Sequence, residues 1–402
     1  MRVLTGTAVF ALIVCGAWAQ SGLDGKEILM TGGQVTSVAV PVALPCDSTL
    51  AEGEVLRITH TKTGREIPAT LRNGELVIVP EGAVPGSEHR FKIKVVQDNP
   101  PPKVNVAKRE GEDVIDIAIE DVPFTAYNYS NDWKKPFLWP VLAEGGVKIT
   151  RDYPMGEKEL TEDHGHHKSL WSAFGAVNGA DCWAEGDGSG YQVSGEVTFG
   201  SGDAYGWVHA KNQWVDKDKK PVLSEEREYR FYAGKPDARL FDLTITFTAD
   251  QQGDVLFKDT KEGGLIAVRM RDQMTEKAGG GLITNSRGQK TMAECWGQPA
   301  EWCDYSGTVK DVGDFGITFF DNPQNLRYPS RWHVRDYGLH GANVFGLNDF
   351  TKGAENGDYT LKGGEKITFK YRAYIHSGNA EVAKVADRYA DYVTPPAARW
   401  AE

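Results

Sequence analysis

The sequence predicts an all-β protein: a small immunoglobulin-like sandwich, then a large antiparallel β-sandwich, then a short carboxyl-terminal helix. Three observations carry this. Phe241, Leu243, Ile245 and Phe247 alternate with Asp242, Thr244, Thr246 and Thr248, and Ile367, Phe369, Tyr371, Ala373 and Ile375 alternate with Thr368, Lys370, Arg372 and Tyr374. That is the period of a sheet with one buried face. Residues 24–97 break into short apolar runs separated by Gly, Pro and Asn, as strands joined by turns do. A helical period is confined to the end, where Val382, Val385, Ala386, Tyr389 and Val393 recur between Asn379 and Pro395-Pro396.

Along the chain, Met1-Arg2, an apolar run from Ala8 to Val14 and Ala17-Trp18-Ala19 before Gln20 read as a secretory signal peptide over 1–19. The expected location is the periplasm or the exterior. No later run approaches the roughly 20 apolar residues of a membrane helix. The runs at 35–42, 54–59, 75–79 and 90–96 make the small sandwich over 24–97. Asp98-Asn99-Pro100-Pro101-Pro102-Lys103 is a stiff linker over 98–103, and 104–402 is the large domain with its helix. Within it Leu265, Ala267, Arg269 and Arg271 alternate with Ile266, Val268 and Met270.

The 45 Lys and Arg residues against 56 Asp and Glu give a formal charge of −11. Such a surface repels phosphate backbones and anionic membranes, so neither is an expected partner. Beyond the signal peptide lie Cys46, Cys182, Cys295 and Cys303. An oxidising compartment permits disulfides, and Cys295–Cys303, which brackets one loop, is the favoured pair. Cys182 reads as a small buried residue. No Cys-x-x-Cys spacing argues for zinc.

Asp163-His164-Gly165-His166-His167-Lys168-Ser169-Leu170-Trp171 holds three of the nine histidines. Imidazole titrates near neutrality, so His164, His166 and His167 are candidates for proton transfer. Two histidines at i and i+2 also suit zinc or iron, with His333 or His340 completing a set. A cupin centre would want a Glu about four residues after the second histidine, where this chain has Leu170 and Trp171. No cofactor is expected, and a transition metal is the one exception weighed.

A second cluster runs from Asn325 to His340. In a strand, His333, Arg335 and Tyr337 share one face while Trp332, Val334 and Asp336 share the other. A third, Asp259-Thr260-Lys261-Glu262-Gly263-Gly264, puts Glu262 on a Gly-flanked loop as a general acid or base, ahead of a strand carrying Arg269. Among the tryptophans, Trp171 and Trp332 adjoin these clusters and are the expected sugar-stacking platforms.

Lys135-Pro136-Phe137 with Pro140, the histidine motif, Val177-Asn178-Gly179 with Trp183, Asp259 to Gly264, and Trp332-His333-Val334-Arg335-Asp336-Tyr337-Gly338 occur in an order that closely resembles the PmoA-like family of secreted bacterial proteins. Cys182 stands where that pattern has a larger apolar side chain. The resemblance covers roughly residues 104–377 and implies a sandwich related to the galactose mutarotase-like supersandwich. The family's usual label, methane oxygenase, does not transfer. A membrane monooxygenase subunit needs several apolar spans, and this chain has a mean hydropathy of −0.43.

The expected function is a secreted carbohydrate-active enzyme that cleaves or isomerises a glycoside. His164, His166, His167, Glu262 and His333 would move protons. Lys168, Trp171, Asn178, Arg269, Trp332, Arg335, Asp336, Tyr337 and His340 would hold the sugar. A non-catalytic sugar-binding protein and a histidine-ligated metal enzyme are the alternatives.

Overall fold

The computed structural model describes residues 22–250 and 253–402. The signal segment expected over 1–19 lies outside them. Two eight-stranded antiparallel sheets make the large domain. The first runs, in spatial order, Arg331–Val334, Leu339–Asn343, Gly263–Arg269, Leu170–Phe174, Phe137–Leu138, Val122–Asn128, Val114–Ile119 and Val104–Lys108. The second runs Tyr191–Gly200, Tyr205–Val215, Pro221–Tyr232, Ala238–Thr248, Lys366–Ser377, Gly313–Asp321, Trp302–Val309 and Gly281–Asn285.

Their inner faces meet in one core. Phe241, Leu243, Ile245 and Phe247 from the second sheet pack with Ile115, Ile117, Leu170 and Val268 from the first. The alternation read from the sequence is thus a real inside and outside. Asp242, Thr244 and Thr246 stay partly exposed. On the Lys366–Ser377 strand the outer face is also covered at Arg372 and Tyr374. Helix Val385–Val393 lies over it, with Val385 packed against Tyr374 and Phe320. The helix is shorter than the sequence pattern, and Val382 is exposed.

The small sandwich pairs a five-stranded sheet with a three-stranded one around Ile28, Ile58, Leu76, Ile78, Phe91 and Ile93. Two boundaries differ from the sequence reading. The strand expected from residue 35 begins only at Val42. Ahead of it the Ser37 N–H donates to Ala83 O, and Ala39 adopts φ 51°, which holds a loop. The chain end also returns: Ala397–Trp400 pairs with Glu27–Thr31, and Trp400 packs on the small core. Residues 397–400 therefore belong to the small sandwich and not to the large domain.

The expected Cys295–Cys303 disulfide is absent, since all four described cysteines are free and buried. Cys295 ends helix Thr291–Cys295 and Cys303 sits in strand Trp302–Val309, both as small members of the main core. Burial pushes the Cys295 thiol up to about 12 and Cys303 well above its ordinary value. No helix among the described residues is long and apolar enough to cross a membrane.

Candidate functional site

The outward face of the first sheet carries the site. One register row crosses it as Phe137, Trp171, Ala267, Gly341 and His333. Residues opposite one another in an antiparallel pair project from the same face. The adjacent row, Leu138, Leu170, Val268, His340 and Val334, points the other way into the core. A bulge shapes the outer face: from Trp171 to Ala173 the partner strand moves from Ala267 to Gly264, three residues against two. Leu265 and Ile266 both turn into the core as a result. Gly264 and Ala267 share the outer face, where a methyl on Gly264 would stand 2.7 Å from Ala267 Cβ and 3.5 Å from the Trp183 ring. Small residues at 264, 267 and 341 leave a trough in the sheet face that the buried Trp183 fills, with ring centres 5.4 Å from Trp171 and 6.4 Å from His333.

The histidine segment is a turn and not a strand. The His167 N–H donates to His164 O at 2.9 Å, and Lys168 Nζ donates to Gly165 O at 2.7 Å. His164 and Ser169 take φ of 46° and 57°, the left-handed region that turns use. The three rings gather as a consequence. His164 stacks on His167 at 5.0 Å, and His166 meets His167 edge-on at 4.4 Å and Trp183 at 6.1 Å. A second turn delivers Tyr337, closed by the Gly338 N–H donating to Arg335 O at 3.0 Å. Tyr337 stacks on His164 at 5.1 Å, with the Arg269 guanidinium 4.7 Å from its centre.

Two carboxylates tie buried cations beneath these rings. Asp163 Oδ1 accepts from Arg151 at 2.8 Å and Arg269 at 2.9 Å. Glu185 pairs with Lys135 at 3.3 Å and Lys168 at 2.8 Å. Partial burial pushes the Asp163 carboxyl up, but Arg269, Arg151 and His164 outweigh it and hold it below the ordinary range. Burial, followed by Lys135, His164 and Lys168, brings His166 down to about 3. Burial, His166 and Arg269 take His167 well below its usual value. Burial, Arg335 and Lys261 bring His333 down to about 3. At neutral pH these three imidazoles are uncharged. Burial also raises the Tyr337 phenol against the pull of Arg335 and Arg269, and the Glu262 charge adds to the rise.

The structure therefore brings together His164, His166, His167, Lys168, Arg269, His333, Arg335 and Tyr337, with Glu262 close enough to act on Tyr337. Trp171 lies under His167 as buried support, ring centres 5.1 Å apart, and offers no open face. Four expectations are corrected. Trp332 faces the inner core, its indole N–H donating to Ala300 O at 2.9 Å. His340 shares that inner side and stacks on Phe319 at 4.6 Å. Asn178 lies in an exposed turn, where it binds the backbone of Asp254 and Leu256. Asp336 turns toward Glu276 and Tyr305, away from the histidines. The proposed metal ligand set is not assembled either. His340 is on the wrong face, and no group of three His, Cys, Asp or Glu among the described residues has metal-holding geometry.

Sequence reasoning passed over Arg151, Glu185 and the packing role of Trp183. Trp183 and Asp163 lie inside the sequence motifs and are legible there. Arg151 and Glu185 carried no local signal, because only the fold brings them under the turn. A groove of about 510 Å³ also opens beside the small sandwich, lined by His60, His89, Phe91, Glu120 and Lys235 among others. No site residue read from the sequence lines it.

No curated protein matches the chain. It is similar to a crystal structure of a β-arabinopyranosidase at 11% identity and a TM-score of 0.28, over 69% of this chain. The match spans 38% of that structure's length. Residues 114–390 match the model of DUF6807, a family of unknown function, and the chain belongs to that family.

Proposed function

We propose that the chain is a carbohydrate-active enzyme that acts on a glycoside by moving a proton at carbon, through elimination or epimerisation. The observation that supports this is the meeting of the histidine turn, the Arg335–Gly338 turn and Trp183 on one sheet face. Trp133 and Trp139 are half-buried there, and indole rings suit the C–H faces of sugars. His166 is neutral and half-exposed, free to accept a proton. Tyr337 keeps its proton at neutral pH and can deliver it to a leaving oxygen. Hydrolysis instead asks for a protonated carboxyl opposite a second carboxylate. Asp163 is held ionised by two arginines, and Glu262 pairs with Lys261 at 3.0 Å, so the arrangement favours the other two reactions. The reading keeps the periplasmic or secreted location expected from the first residues.

Product masses from a panel of oligosaccharides test this. Elimination yields fragments that sum to the substrate mass, epimerisation leaves the mass unchanged, and hydrolysis adds one water. Fragments that carry the added water would overturn the proposed chemistry. The low basicity of His166 favours a second reading, a non-catalytic saccharide-binding protein. Binding of a glycan with no product from it would select that reading.

A further inference from the structure

Lys135, Arg151, Lys168, Lys261 and Arg269 find their ion-pair partners among four carboxylates, Asp163, Glu185, Glu262 and Asp272, and Arg335 pairs with none of them. The whole chain is acidic, at −11. Lys135, Arg151, Lys168 and Arg269 have side chains 0%, 0%, 4% and 1% exposed. Glu185 serves two of them alone. Asp272 is a distant partner at 3.9 Å from Arg269, its other oxygen taken by Thr161. Lys135, Lys168 and Arg151 act on His166, and Arg269 and Arg151 act on His167. Buried cations in excess of their anions are costly, and a bound anion relieves that cost.

Arg335 is the cation left over. It is half-buried, its guanidinium lies 5.2 Å from the Trp296 ring, and no carboxylate pairs with it among the described residues. It stands beside His333 and Tyr337, whose protonation it influences. One unsatisfied donor lies close by: Trp183 Nε1 makes no hydrogen bond, and the residue is 2% exposed.

Resting on the saccharide reading above, we infer that the site takes an acidic saccharide, a uronate, whose carboxylate is seated by Arg335 beside His333 and Tyr337. A guanidinium holds a carboxylate by two parallel hydrogen bonds, which fixes the sugar's orientation as well as its charge. A carboxylate fits the proposed chemistry, because it acidifies the C–H beside it and a cation enhances that effect. Its charge also opposes the cations that act on His166, which makes the imidazole a better base when substrate is present.

Calorimetric titration of the full chain with oligogalacturonates, oligoglucuronates and oligomannuronates, each beside its uncharged counterpart, tests this. At least one uronate is expected to bind about tenfold or more tightly than its neutral partner, with an advantage that shrinks at high salt. Arg335→Gln should remove the preference, and Arg335→Lys should restore part of it. A neutral saccharide bound as tightly as every uronate overturns the uronate inference and leaves the saccharide reading standing. A sulfated saccharide bound in place of any carboxylated one overturns the carboxylate assignment. If no saccharide of either kind binds, both fall. Circular dichroism confirms that the variants are folded.

Discussion

The rings of His164 and Tyr337 lie face to face, 5.1 Å apart at their centres and 13° from parallel. This one stack joins the histidine turn to the turn that ends strand Arg331–Val334, and Arg269 closes it from the far side of the tyrosine. Aromatic pairs of this kind contribute about 1 kcal/mol beyond the area they bury. Tyr337→Phe keeps the stack and is expected to leave the melting temperature nearly unchanged while removing the proton that the hydroxyl supplies. Tyr337→Ala should lower stability as well. Thermal melts of the two variants, set beside their activities, separate the structural role from the chemical one.

Asp163→Asn removes the shared anion of Arg151 and Arg269. Breaking a fully buried pair costs roughly 3–5 kcal/mol, and Asp163 is 42% exposed, so a loss of about 2 kcal/mol is expected from urea unfolding. The pH dependence has a definite sign. Asp163 is depressed in the folded state, so its contribution is complete above the unfolded carboxylate pKa of about 3.9 and is lost as pH falls through the lower folded value. Asp163→Asn should therefore flatten the stability profile at its most acidic end.

The buried histidines act at higher pH. His333 and His340 are each brought down to about 3, chiefly by burial. Unfolded, they take up protons below about pH 6.5, while the folded protein refuses them until near 3. Stability should be level above pH 6.5 and decline steadily with acid below it, by up to about 1.4 kcal/mol per pH unit for each such group. His340→Phe removes one of these groups from the core and should make the decline shallower. An imidazole NMR titration of His333 or His340 with a midpoint near 6.5 would contradict the assignment.

Gly264→Val probes the trough. The first carbon of the new side chain meets Ala267 Cβ at 2.7 Å and already touches the Trp183 ring at 3.5 Å, so the further methyl groups of valine press on Trp183. Overpacking of this kind costs about 1–3 kcal/mol. A changed tryptophan emission is expected, and an unaltered one would show that Trp183 does not pack over Gly264.

The free thiols carry an expectation of their own. Peptides containing Cys46, Cys182, Cys295 and Cys303 should resist alkylation in the native protein and be fully alkylated after denaturation without reductant. Recovery of Cys295 and Cys303 as a linked peptide would restore the disulfide.

Much of this was legible in the residues. Alternation at 241–248 and 367–375 located the core because one-sided burial imposes period two. His333 takes the face opposite Trp332 and Val334 by the same rule, whereas Arg335 and Tyr337 lie beyond the strand's end at Val334 and reach the site through a turn. Trp332 and His340 misled because nearness in sequence to polar neighbours says nothing about which face a strand residue takes. One step along the register moves His340 from the site to the core. Asn178 misled for another reason: a turn asparagine that binds backbone looks, in sequence, like one that binds ligand. Arg151 and Glu185 were invisible because pairing across sheets and loops is decided by the fold alone. The strand Ala397–Trp400 was missed likewise, since its partner lies at the opposite end of the chain.

The most direct test of the central claim is product formation by His166→Ala and Tyr337→Phe beside the unmodified chain, on whichever oligosaccharide of the panel is converted. Loss of a positioned acid or base costs roughly 100- to 10,000-fold. The account predicts losses of that order in both variants, with circular dichroism unchanged. Full activity in both would contradict it.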